Sequence, residues 1–209
     1  MNYTKSLLFV LTALFCLTLI FPQPSNAQRR DYLTDEEIEL VRDANEIDKR
    51  IGVLVKAIDR RLMIINNDPT QEKQLKKDSE KWGELPSGTK TELLSDISNI
   101  LQKAIDDIDD LAARKSLNDK LLQTTVETDT DIEAKRVLKA NDQKFPAAVH
   151  NLADASRKYL PILETFGANA ANEKEKGVIL WAIESCNMII EASAQVQKPE
   201  SKKKKNKGN

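Results

Sequence analysis

His150 is the single histidine in 209 residues, and Asp154 follows it by four positions. On a helix that spacing stacks the two side chains, and an imidazole oriented by a carboxylate is the beginning of a general base. Nothing completes the site. No serine, cysteine or second histidine stands nearby in a recognisable motif, so His150 reads as a surface or boundary residue. Cys186 is the other side chain with latent reactivity. A nucleophilic or redox thiol needs a helix N-terminus or a neighbouring cation to lower its pKa. Cys186 falls instead on the apolar stripe of a helix, where a cysteine behaves as a small buried hydrophobe. One histidine and one cysteine cannot make an ordinary zinc site, and the Cys-x-x-Cys-His haem motif is absent.

Hard cations want several oxygens, and two acidic clusters invite that test. Glu127, Asp129, Asp131 and Glu133 alternate along the chain, but an EF-hand loop from Asp129 would need glycine at Ala134 and glutamate at Ala140. Asp106, Asp107, Asp109 and Asp110 surround Ile108 on the polar side of a helix. Both clusters read as solvated acidic faces. A di-iron bundle needs Glu-x-x-His pairs, and Ala147 stands three residues before His150. The six glycines form neither a phosphate-binding loop nor a dinucleotide fingerprint. No cofactor, metal or catalytic residue is expected, and the chain reads as non-enzymatic. An enzyme would require His150 to meet acidic residues of other helices in a cleft. Trp181 is expected in the core, and Trp82 is expected to pin a long connection onto the helices.

The sharpest feature outside the core is the run Lys202, Lys203, Lys204, Lys205 and Lys207. Closely spaced ammonium groups on a flexible segment attract polyanions through counterion release and a salt-sensitive field. From Lys198 onward there are six lysines and one glutamate, whereas residues 28–197 hold 25 basic and 32 acidic residues, a net of −7. An acidic body with a basic tail suggests an electrostatic tether to an anionic envelope polymer or lipid surface. A merely solubilising tail is the alternative. No aromatic residue interleaves the lysines, so specific nucleic-acid binding is not expected.

The N-terminus supplies an address. Lys5 precedes an apolar run from Leu7 to Phe21, broken by Pro22 and Pro24, and Ser25-Asn26-Ala27 places small residues at −3 and −1 of a cleavage site. That is the pattern of a signal peptide over residues 1–27, with an uncleaved anchor as the alternative. A lipidation site at Cys16 fits less well, because Phe15 precedes it where a small residue is wanted. The chain after Ala27 has one cysteine and no Asn-x-Ser/Thr sequon, which suggests a bacterial exported protein, periplasmic or secreted. No transmembrane span is expected in the mature chain.

Residues 28–197 must position whatever the chain presents, and their composition favours helices. Aromatics are 5% of the chain, charged residues 31%, and no stretch alternates with period two long enough for a sheet. Thr34-Asp35-Glu36-Glu37 forms a capping box, followed by Val41, Ala44, Ile47, Ile51, Leu54, Ile58, Leu62 and Ile65 at helical spacing. This predicts one helix of about 32 residues, roughly 48 Å long, ending at Asn66-Asn67-Asp68-Pro69. A short helix is expected over 71–81. A second capping box, Thr89-Lys90-Thr91-Glu92, opens a helix to about Lys115. Leu117, Leu121, Leu122 and Val126 suggest continued helix, although residues 124–131 are poor helix material. A third capping box, Thr130-Asp131-Ile132-Glu133, restarts helix through Leu138, and Phe145, Val149, Leu152, Ser156, Tyr159, Leu163 and Phe166 continue the rhythm. Pro146 either begins a new helix or kinks a longer one, Pro161 is expected to kink it, and Gly167 to cap it. The last helix is expected from Asn172, with Ile179, Ala182, Cys186, Ile189, Ser193 and Val196 facing inward.

The pattern predicts an all-α fold, an antiparallel bundle of four to five long amphipathic helices over 28–197, with an elongated coiled-coil dimer as the alternative. Residues 198–209 are expected to be a disordered lysine-rich tail. The functional expectation is an exported, non-enzymatic helical binding protein of the cell envelope or extracellular space. The alternative is a structural or assembly protein, a homo-oligomer joined through heptad faces.

Overall fold

Amphipathic stripes of the kind found in this chain bury themselves only by packing helix on helix. The computed structural model describes residues 30–66, 80–121 and 129–197, with side chains except over 115–121 and 129–141. Among these residues every regular element is a helix and none is a strand: α1 (Asp35–Asp43), α2 (Ile47–Asn66), α3 (Lys90–Leu121), α4 (Asp129–Ala168) and α5 (Glu173–Ala194). From Tyr32 onward they belong to one compact unit, distinct from Met1–Asp31. α2 packs on α3 and α4, α5 packs on the same two, and α1 packs on α2.

The heptad stripes meet as the spacing requires. Ile51, Leu54 and Ile58 of α2, Ile97, Leu101 and Ala104 of α3, Leu152 and Leu163 of α4, and Ile179 and Cys186 of α5 are buried in one cluster. Each large aliphatic side chain so buried stabilises by about 1.5–3 kcal/mol. Tyr159 is fully buried among them, and its hydroxyl donates to the Val55 carbonyl at 3.0 Å. Burial pushes that phenol far above its ordinary pKa, with the Asp59 carboxylate adding to the effect.

Several boundaries differ from the sequence expectation. The long first helix is two helices, interrupted at 44–46. Ala44 leaves helical geometry, at φ −77° and ψ 82°, and Arg50 Nε donates to its carbonyl at 3.1 Å. A basic side chain from the next helix thus satisfies a carbonyl at the end of the first. α3 continues past Lys115 to Leu121. α4 is one helix running through both Pro146 and Pro161, so Pro146 lies within a longer helix. It ends one residue beyond Gly167, which does not take the left-handed conformation of a C′ glycine. Asn172 caps α5 as expected, its Oδ1 accepting from the Glu175 amide at 2.9 Å. Of the short helix expected over 71–81, only 80–81 fall among the described residues, within a helical turn at 80–82. The expected signal peptide (1–27) and basic tail (198–209) lie outside the described residues.

Candidate functional site at the C-terminal end of α5

Among the described residues two places stand out, a closed polar corner and an open apolar groove. The closed one is built on the first capping box. The Thr34 hydroxyl accepts from the Glu37 amide at 3.3 Å, and the Glu37 carboxylate accepts from the Thr34 amide at 3.1 Å. The same carboxylate is fully buried and accepts from Arg60 Nη1 at 2.7 Å and from Arg61 Nη1 and Nη2 at 3.1 and 2.9 Å. Arg61 also reaches the Asp96 carboxylate (3.3 Å) and the carbonyls of Ala57 (2.8 Å) and Tyr32 (2.6 Å), which engages all five of its N–H groups. Arg60 donates to the carbonyls of Gly83 and Glu84 and lies 5.6 Å from the centre of the Trp82 ring. Two guanidinium and two carboxylate charges balance here. Gly83 is obligatory in this corner: its φ is +61°, and a Cβ there would stand 2.2 Å from the Glu36 side chain. Trp82 therefore pins the connection onto the helices, as expected, and does so against a buried charge.

The open site lies between α3, α4 and α5. Ile105, Ile108, Phe145, Val149, Met188 and Val196 help line a groove of about 330 Å³, and among the described residues Asp109 is the one ionisable side chain in its wall. His150 follows Val149 and is half-buried, the boundary residue that the sequence suggests. Its Nε2 lies 3.0 Å from the carbonyl of Val196, 46 residues later. A carbonyl only accepts, so Nε2 carries the proton in this contact. Asp154 is held by Arg157 at 2.7 Å. Arg157 Nη2 in turn donates to Ser193 Oγ at 3.4 Å. His150 and Arg157 thus tie the C-terminal end of α5 to α4, immediately before the basic tail begins. Lys202, Lys203, Lys204, Lys205 and Lys207 lie outside the described residues.

Other expectations resolve residue by residue. Cys186 is fully buried, and burial pushes its thiol up to about 11, with the Ser156 hydroxyl acting weakly in the opposite direction. The Asp106–Asp110 cluster is not wholly a solvated face: Asp107 is buried, bonded to Lys103 and 3.8 Å from Arg50. Trp181 is not in the core but 40% exposed on α5. The other acidic cluster lies where side chains are not described. Among the described residues no group of three or more histidine, cysteine or acidic side chains is placed to hold a metal ion. α5 is long and apolar enough to cross a membrane by length and composition, with one third of its apolar window buried.

Sequence reasoning missed the arginine pair and the groove. A signal for Arg61 existed: it continues the Ile47, Ile51, Leu54, Ile58 stripe at a further step of three. The groove had none, since its lining comes from three separate helices. No family model, curated protein or solved structure matches this chain. The functional reading therefore rests on its own residues.

Proposed function

We propose that this chain is an exported, non-enzymatic binding protein of the cell envelope or extracellular space, tethered by its lysine-rich tail to anionic polymers or lipid surfaces. The helices act as an antiparallel bundle that carries the tether. Contacts between distant residues support that arrangement. Arg50 and Arg61 of α2 meet Asp107 and Asp96 of α3 in reverse order, and His150 and Arg157 of α4 meet Val196 and Ser193 at the end of α5 in reverse order, so each of these two helix pairs runs antiparallel.

The observation that carries the reading is the clamp at the end of α5. His150 and Arg157 fix residues 193–196 to α4, a few positions before the lysine-rich segment begins in the sequence. Six lysines following a body of net charge −7 concentrate positive charge at the C-terminal end of the sequence. The acidic body limits non-specific adhesion, which leaves the tail as the attracting element.

Co-sedimentation with anionic vesicles and with cell-wall polymer, at low and high salt, tests this. The full chain should sediment at low salt and be released at high salt, and a chain ending at Gln197 should remain in solution. Sedimentation of both forms, or of neither, contradicts the tether.

A further inference from the structure

α5 has a second stripe, on the side opposite its buried one. Lys174, Gly177, Trp181, Glu184, Met188 and Glu191 follow one another at steps of three and four, and all six are exposed. Trp181 is 40% and Met188 49% exposed, and Leu180 beside them is 54% exposed. Alternate steps of three and four trace a single straight seam, the geometry by which one helix packs along another. A Trp, a Leu and a Met side by side in water form the kind of patch that marks an association surface.

The charges on the seam select its occupant. Lysine stands at its N-terminal end, glutamates at its centre and C-terminal end. Among the described residues neither Lys174 nor Glu191 has an ion-pair partner, and they stand about 26 Å apart along the helix. A second copy of the same helix laid parallel would set Lys174 against Lys174 and Glu191 against Glu191. Laid antiparallel, with a twofold axis level with residues 182–183, it sets Lys174 of each copy against Glu191 of the other. The same register places Met188 of each copy over Gly177 of the other, and Gly177 has open space around the position of a Cβ. A long flexible side chain thus meets the one seam position without a side chain. Glu184 stands level with Trp181 of the other copy and is offset about 4.5 Å along the axis from that copy's Glu184, on the rim of the seam where water screens the pair.

We infer that α5 is the interface of a twofold-symmetric antiparallel homodimer, joined through Trp181, Met188 and reciprocal Lys174–Glu191 pairs. The surface suits a second copy better than a lipid bilayer, because Glu184 and Glu191 interrupt its apolar side chains. The inference goes beyond the tether and stands without it, since residues 198–209 take no part. A chain ending at Gln197 dimerises as the full chain does, so failure of one reading leaves the other intact.

Sedimentation equilibrium of the full chain across a concentration series tests the interface. Lys174→Glu and Glu191→Lys should each weaken dimerisation by about tenfold, because each single reversal creates two like-charge contacts. The double exchange should restore it to near the wild-type value. Gly177→Glu, which has room in the monomer and raises helix propensity, should abolish the dimer without unfolding the chain. A chain that stays monomeric overturns the inference, as does association indifferent to these exchanges, or a double exchange that fails to rescue. A monomer whose Trp181 fluorescence shifts to the blue on anionic vesicles would overturn it in favour of a membrane-facing surface.

Discussion

Near the C-terminal end of α2, four charged side chains are buried and satisfy one another. At the C-terminal end of α5, an apolar groove is left open beside a clamped chain that leads into the lysine tail. Charge buried and matched holds helices in register and leaves nothing for a partner. Apolar surface left open offers what the closed corner lacks, a face that a partner can still cover. The contrast separates what this chain needs for folding from what it presents.

The largest expected effect lies at the closed end. Glu37→Ala removes the carboxylate that two buried guanidiniums share and should destabilise the fold by about 3–5 kcal/mol, read from the urea midpoint. A loss below about 1 kcal/mol would mean that water replaces the carboxylate and the corner is not closed.

Acid should act at the junction of α3 and α5. Glu175 is buried, and the hydrogen bond from Lys90 holds its pKa below the ordinary carboxylate value, against the opposing cost of burial. A depressed folded pKa means that the stabilisation is present above the ordinary value of 4.5 and fades as pH falls below it. Glu175→Gln should therefore be less stable than wild type at pH 7, with the gap closing in acid. A gap independent of pH would assign the effect to packing.

At the open end the expected changes are small. His150→Ala removes one partly buried hydrogen bond to Val196 and should cost only about 1 kcal/mol. Its informative effect is on hydrogen exchange at residues 193–197, which should accelerate while α2 and α3 are unchanged. The smallest expected signal is from Cys186. A buried thiol with its pKa raised to about 11 should resist alkylation at pH 8 until the chain unfolds. Its raised pKa also sets the alkaline sign: the stabilisation is whole below 9 and is lost as pH rises towards 11.

The sequence shows the helices more clearly than it shows their polar interior. Ile97, Leu101 and Ala104, or Ile179, Ala182 and Cys186, could be placed in the core because apolar residues at steps of three and four have one way to be buried. Two of the three expected capping boxes, at Thr34 and Thr89, form as their residue types require, whereas Thr130 lies inside α4, which already includes Asp129. The interruption at 44–46 was hidden because Val41, Ala44 and Ile47 keep the helical rhythm across it. Arg60 and Arg61 were hidden because a charged residue is assigned by default to solvent. Burying them takes Glu37, 23 positions earlier, and Asp96, 35 positions later, and periodicity within one helix carries no information about such pairs. His150 is the boundary residue that the sequence suggests, half-buried and not joined to Asp154. Their spacing is right for a pair, yet each has a nearer partner from its surroundings.

The most direct measurement is a crossed comparison of stability and binding in two variants, a chain ending at Gln197 and Glu37→Gln. Urea unfolding and low-salt sedimentation with anionic vesicles would be read on the same preparations. Truncation should abolish sedimentation and leave the unfolding midpoint unchanged, and Glu37→Gln should lower the midpoint while the folded chain still sediments. If truncation leaves binding intact, or if Glu37→Gln removes it from a chain that is still folded, the division between a closed structural end and an open binding end is wrong.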